Sequence, residues 1–510
     1  LVDRLAEKLY DWPRDIVRQI HDAGMDEQVI RNHQRRVVAA ISSDTNQTFR
    51  ILDTCRIENG GILQMPATLK AGAMQRRTGY GITAFVPAAG ASSRYLAPLI
   101  PIMEAARLKN VSACREALDS LQNSGAMTCP MPQSVKSLLS VLQSSNGDIS
   151  TRLFEDVVRE IDAPKALYPA VLDGDTFLAL KRLEHKSFGG ISGEIFICPP
   201  GRIGDFSFEA SKISSPIGAK FIEQDLSLAT LRFDANGRVA TDASGRVSPV
   251  PAGHGALLPL LAKVPSMFPG CRAVFIRNID NVCGNAADVL QVTRQFIDLF
   301  SESLWLLDQL RGASQQQDSQ GVEQFSAAFL ELWGFEVGSS LRSVDVLMTK
   351  LFHTRQTNDF KDLSRVLARP LIQMGQVPNS ASDVGGTCVF TEFDGLREKL
   401  CLELPHATES DRRVFLENSQ KATHFNPVFV LAEIPNEDAM RAWQDHPFWL
   451  IAKKSWQGRD VFYQESILYE MLGCSRYANA MFVEVARSVF NPHKSLKDAD
   501  KKRLNDWIKV

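Results

Sequence analysis

Between residues 81 and 300 the sequence alternates strand-like and helix-like runs, and this alternation limits the possible fold more than any other feature. Apolar runs of strand length stand at Ile82–Ala88, Glu194–Cys198, Ala229–Phe233 and Ala273–Ile279. Helical spacing of apolar residues appears between them, at Thr176–Phe188 and His254–Val264. Strands that alternate with helices can cover both faces of a sheet, so an α/β layer architecture is expected. One stretch interrupts the pattern. Residues 97–161 read as several helices, an insertion expected to form a lid or a flanking bundle.

The flanks differ from this core. Residues 1–80 read as mostly helical, with apolar positions at helical spacing in 15–21 and 29–38. Residues 301–369 read as a helical connector. Within it, Gly312–Gly321 is polar and is expected to be a linker. Strand-like runs return at Thr387–Phe393, Lys399–Leu404 and Val428–Ile434, so 370–510 is expected to be a further α+β region. A chain of 510 residues exceeds one ordinary core, and several structural units are expected.

Composition removes some function classes. The formal net charge is −2, which argues against a broad nucleic-acid-binding face. The nine cysteines are widely scattered, with no Cys-x-x-Cys pair, so neither a zinc knuckle nor a redox motif is read. Scattered thiols fit a reducing cytoplasm. No apolar stretch is long enough to span a membrane. The charged, amphipathic first residues do not resemble a signal peptide. Residue 1 is Leu rather than Met, so the natural chain is expected to start earlier.

Four segments carry candidate chemistry. The strand Ile82–Ala88 opens into a small-residue loop, Ala89, Gly90, Ala91, Ser92 and Ser93, which delivers Arg94. Small residues let backbone N–H groups approach phosphate oxygens, and Arg94 offers a planar fork for the same oxygens. The loop is neither a Walker loop nor a dinucleotide fingerprint. A plain strand-to-helix turn is the competing reading. Lys165, after Pro164, is a cation suited to charge developing in phosphoryl or nucleotidyl transfer, or else an ordinary solvated lysine. Gly253, His254 and Gly255 precede a helical run; the glycines would let a base or sugar lie against the backbone, unless they only form a turn. Asp280 follows the strand Ala273–Ile279, between Asn278 and Asn281. One carboxylate at the carboxyl end of a strand suits Mg²⁺, although Asp and Asn also form turns there.

In this order the segments resemble the sugar-1-phosphate nucleotidyltransferases. Those enzymes carry an alanine- and glycine-rich loop ending in arginine, then Pro-Lys, then a glutamine and a glycine-rich stretch, then an aspartate after a strand. More closely, the chain is similar to a bacterial family known mainly as a domain of unknown function. The shared segments are Phe85–Arg94, Pro164–Pro169, Gly253–Leu257 and Phe275–Asn281, with Thr423–Pro427 and Met481–Val485 further on.

The resemblance implies a Rossmann-like, GT-A-like mixed sheet at 81–300. It also implies an enzyme that joins a nucleoside triphosphate to a sugar phosphate and releases pyrophosphate. Arg94 and Lys165 would bind phosphates and stabilise the transition state. Residues 89–93 would hold the triphosphate, Gln224, Gly253, His254 and Gly255 the nucleotide, and Asp280 a Mg²⁺ or Mn²⁺ ion. Glu403 and Asp383 are the candidates for a second metal carboxylate. Two departures stand out. The loop reads Gly-Ala-Ser-Ser-Arg rather than Gly-x-Gly-Thr-Arg, and Arg94 lies unusually far from Lys165. The implied partners are small molecules, in a cytoplasmic protein compatible with a homo-oligomer. Two alternatives stay open: a glycosyltransferase using Asp173-Gly-Asp175 as its metal pair, and an inactive nucleotide-binding scaffold.

Overall fold

The computed structural model describes residues 12–43, 50–66, 80–90, 95–123, 131–144, 149–170, 175–224, 226–283, 287–338, 340–357, 359–379, 386–393, 396–403, 422–444, 450–466 and 474–496. The fold is mixed α/β, with mixed sheets and many helices. Two units divide it. The first comprises residues 1–82, 225–276 and 295–487, the second 83–224, 277–294 and 488–510.

The second unit is built on the strands Gly81–Pro87, Ile191–Cys198 and Gly218–Glu223, adjacent in that order. Five of the seven residues in Gly81–Pro87 are buried, as an apolar run in an α/β sheet requires. Ile191–Cys198 and Gly218–Glu223 are parallel, in register from Gly193 opposite Gly218 to Cys198 opposite Glu223. The helix Ile203–Ser211 connects them, because a parallel pair needs a crossover.

The helix Phe177–Phe188 precedes the middle strand. Its start is set by Thr176, whose hydroxyl accepts from Ala179 N at 3.2 Å and donates to Glu209 Oε1 at 2.9 Å. The expected insertion is helical, with Ile100–Arg107, Val111–Asn123, Gln133–Gln143 and Thr151–Ile161. Their apolar faces share one core with Val86, Tyr95, Phe177, Phe196 and Phe206.

In the first unit, Leu371–Pro378 lies between an antiparallel neighbour, Phe429–Glu433, and a parallel one, Asn479–Glu484. A three-stranded antiparallel sheet is formed by Arg50–Thr54, Gly386–Phe393 and Leu396–Glu403. The helices Arg14–Asp22 and Glu27–Ser43 bury Ile16, Ile20, Ile30 and Val37 against Leu231, Phe233 and Ile451.

Three local expectations change. Residues 50–54 form a strand rather than helix, because their partner is more than 300 residues away in sequence. The polar stretch Gly312–Gly321 is a tight helix-to-helix turn rather than a linker. The helix Ala287–Gln315 ends, Gln317 takes a positive φ, and Asp318 caps Ser319–Leu332 by accepting from Gln320 N and Gly321 N. Residues 254–263 form a 3₁₀ helix, with an α-turn only at Val264–Met267. Pro259 and Pro265 each remove a backbone donor there.

Candidate functional site

The carboxyl ends of the second unit's strands are tied together by backbone hydrogen bonds. Ala88 N donates to Ile197 O at 2.9 Å, and Gln224 N donates to Cys198 O at 2.8 Å. The start of the small-residue loop and Gln224 therefore flank the same strand end, where ligands of open α/β sheets bind. Gly90 is exposed, and among the described residues a Cβ added there would meet nothing within 4 Å, so this backbone is open to approach. Ala91, Ser92, Ser93 and Arg94 lie outside the described residues.

The chain is described again at Tyr95, whose ring is buried. The Lys165 ammonium stands 4.7 Å from the centre of that ring and 5.3 Å from the Phe177 ring. The two rings meet edge to face at 5.4 Å. Tyr95 is held from its other end by its hydroxyl, which donates to Pro169 O at 3.2 Å. Tyr95, which follows Arg94 in the chain, and Phe177 thus form an aromatic floor under Lys165.

Lys165 and Asp280, 115 residues apart, meet at 3.0 Å between Nζ and Oδ2. Their side chains are 10% and 30% exposed, so the ammonium is sheltered and the carboxylate is open on one side. Lys165 also donates to the carbonyl of His493, while His493 N donates to Asp280 O at 3.0 Å. An isolated bridge between Asn281 and Pro492 continues this pairing. Tyr95, Phe177 and His493 were missed in the sequence. They lie in no motif, and His493 acts through its backbone.

Beneath Asp280 the loop is anchored by buried charge. Lys181 and Glu184, both with side chains at 0% exposure, pair at 2.7 Å, and Arg277 Nη1 stands 3.6 Å from Glu184. Glu184 also accepts from Cys283 N at 2.6 Å, and Lys181 donates to Asn281 O. Burial pushes the Glu184 carboxyl up, but Lys181 and Arg277 outweigh it and hold the group below its ordinary value. Burial dominates at Lys181 and lowers its ammonium despite Glu184. Asn281 donates to Val489 O at 3.2 Å and accepts from Asn491 N at 2.8 Å. These partners fix residues 277–283, and hence the position of Asp280.

Among the described residues, no group of three His, Cys, Asp or Glu side chains could hold a metal ion. The half-open Asp280 carboxylate fits a hard cation that takes one protein oxygen and fills its remaining positions with phosphate oxygens and water. Asp383 lies outside the described residues, and Glu403 ends the strand Leu396–Glu403 of the first unit. Asp173 and Gly174 also lie outside the described residues.

Gly253, His254 and Gly255 belong to the first unit. Gly253 has a φ of 85°, and a Cβ there would stand 2.4 Å from Ser466 O. Gly255 N donates to that same oxygen at 2.9 Å. The space beside Gly253 is therefore filled by protein backbone, and packing against Ser466 accounts for the glycine. The structure brings Lys165 and Asp280 together and sets Gly90 and Gln224 at one strand end.

The chain belongs to the family described as "Domain of unknown function (DUF4301)". The match runs over residues 208–503, more than half of the chain. It takes in Gly253–Leu257, Phe275–Asn281, Thr423–Pro427 and Met481–Val485, while Phe85–Arg94 and Pro164–Pro169 precede it. No curated protein matches the sequence. Two solved structures are distantly similar. A UDP-glucose phosphorylase from Trypanosoma brucei aligns at 13% identity and a TM-score of 0.45, over 95% of this chain and 76% of its own. A protein from Entamoeba histolytica, described as a UDP-N-acetylglucosamine pyrophosphorylase, aligns at 11% identity and 0.44, over 87% and 82%. Likeness at this level fixes neither fold nor chemistry. Among the described residues, no helix is long and apolar enough to cross a membrane.

Proposed function

We propose that the chain is a metal-dependent nucleotidyltransferase, transferring a nucleoside monophosphate from a triphosphate to a sugar phosphate and releasing pyrophosphate. One observation carries this reading: Lys165 and Asp280 meet at 3.0 Å beside Tyr95, the residue that follows Arg94 in the chain. A cation, a half-open carboxylate and a glycine-containing loop are what nucleotidyl transfer asks of a protein, because the work is positioning and charge neutralisation.

In this reading the loop from Ala89 to Arg94 receives the triphosphate, with Arg94 bidentate on its oxygens. Lys165 keeps Asp280 in place and adds positive potential where charge develops on the leaving pyrophosphate. Asp280 would hold Mg²⁺ or Mn²⁺, which when bound screens the phosphate charges. Gln224, next to the loop start, contacts the nucleotide in this reading. The phosphate oxygen of the sugar phosphate attacks the α-phosphorus in line, and the bond from that phosphorus to the bridging oxygen breaks as pyrophosphate leaves. No nucleophilic side chain is needed.

The test is pyrophosphate release from a nucleoside triphosphate, Mg²⁺ and a panel of sugar phosphates. Release should require both substrates and should fall in Lys165→Ala and Arg94→Ala. Release of nucleoside diphosphate from a nucleotide-sugar would point instead to glycosyl transfer. Nucleotide binding with no turnover across the panel would leave a binding protein.

A further inference from the structure

The first unit contains a second charged feature, a cavity of about 930 Å³. Five cations line it: Lys350, Arg355, Arg369, Arg397 and Arg476. They face two carboxylates, Glu58 and Glu398, and Glu398 is already taken by Arg476 at 2.6 Å. Arg369 is committed to Ser475 O at 2.8 Å. The Arg397 guanidinium carbon stands 4.1 Å from the centre of the Phe390 ring, a cation–π contact that helps hold it in place. Lys350 and Arg355 are exposed and have no hydrogen-bond or ion-pair partner among the described residues.

The wall that carries them is irregular. Leu347–Leu351 is π-helical, a form that is rare and frequently marks functional positions. His353, two residues beyond it, holds a φ of 49°, a strained backbone for a residue with a side chain. Its Nε2 is buried and has no hydrogen-bond partner among the described residues.

We propose that this cavity binds a small phosphate-bearing molecule with at least two negative charges. The size fits the upper range of small-molecule sites. The planar forks of Arg355 and Arg397 suit phosphate oxygens, and Lys350 adds a point charge. The site is built from first-unit residues only, and it stands whether or not the transfer reaction assigned to Lys165 and Asp280 is correct.

The test is calorimetric titration of the whole chain with inorganic pyrophosphate, without added divalent metal. Wild type, Lys165→Ala and the double variant Lys350→Ala/Arg355→Ala are compared, and thermal melting confirms that each is folded. Wild type and Lys165→Ala should bind with similar affinity, and the double variant should bind at least about tenfold more weakly. Undiminished binding in the double variant would overturn the proposal, as would no binding by wild type at millimolar pyrophosphate. Binding lost only in Lys165→Ala would assign pyrophosphate to the second unit and refute the cavity. Full displacement by sulfate at equal ionic strength would reduce the cavity to a merely basic surface and would also overturn it.

Discussion

Two charged regions, one in each unit, treat charge in opposite ways. The second unit seals Lys181, Glu184 and Arg277 away from solvent, where the two cations share one carboxylate. The first unit gathers cations around a cavity, and Lys350 and Arg355 have no partner among the described residues. A charge satisfied inside the fold supports architecture. A surplus charge facing open space is available to a ligand, because it gives up little on changing partners. The Lys165–Asp280 pair stands between these extremes, with one member sheltered and the other partly open.

The largest effect should come from the sealed cluster. Glu184→Ala leaves Lys181 and Arg277 buried without their carboxylate, and loss of one partner of a buried pair costs about 3–5 kcal/mol. Urea unfolding should show a loss of this size. A loss under about 1 kcal/mol would mean that the cluster does not anchor the 277–283 loop.

Asp280→Asn should act on rate rather than fold. If the transfer reaction holds, pyrophosphate release should drop by about a hundredfold or more, typical for loss of a charge-stabilising group. Stability should stay within about 1 kcal/mol, because the carboxylate is partly solvated. Full turnover in this variant, or in excess chelator, would remove Asp280 from the chemistry.

A third effect depends on pH and belongs to the first unit. Burial, with Lys399 and Arg397 adding, drives the His353 imidazole down to about 2, and burial with Arg36 takes His33 down to about 4. An unfolded chain takes up these protons near pH 6.5, and the native state resists them. Stability from each group is therefore present above pH 6.5 and is lost as pH falls, towards about 4 for His33 and about 2 for His353. His353→Gln should flatten the fall in unfolding free energy between pH 6.5 and 4.5 by up to about 1.4 kcal/mol per pH unit. An unchanged slope would mean that His353 titrates normally in the fold.

The smallest effect is the counterpart of the first. Lys350→Ala/Arg355→Ala should change stability by no more than about 0.5 kcal/mol, as exposed positions without partners usually do. A loss as large as that of Glu184→Ala would erase the contrast between the two units.

Local pattern alone determined much of this protein. The strands Gly81–Pro87, Ile191–Cys198 and Cys271–Arg277, the helices of the insertion and the helix begun at Thr176 follow from apolar spacing and a capping hydroxyl, which act between near neighbours. Asp280 and Lys165 were legible as candidates because a residue type stood at a strand end or after Pro164. Their meeting was not legible, since 115 residues separate them and the His493 carbonyl that helps hold Lys165 bears no side-chain signature. The sheet pairing of residues 50–54, the backbone filling beside Gly253, the sealed Lys181–Glu184–Arg277 cluster and the basic cavity are also products of tertiary structure alone. Each depends on groups distant in sequence, whose proximity is fixed by how the core packs and not by any local preference of the chain.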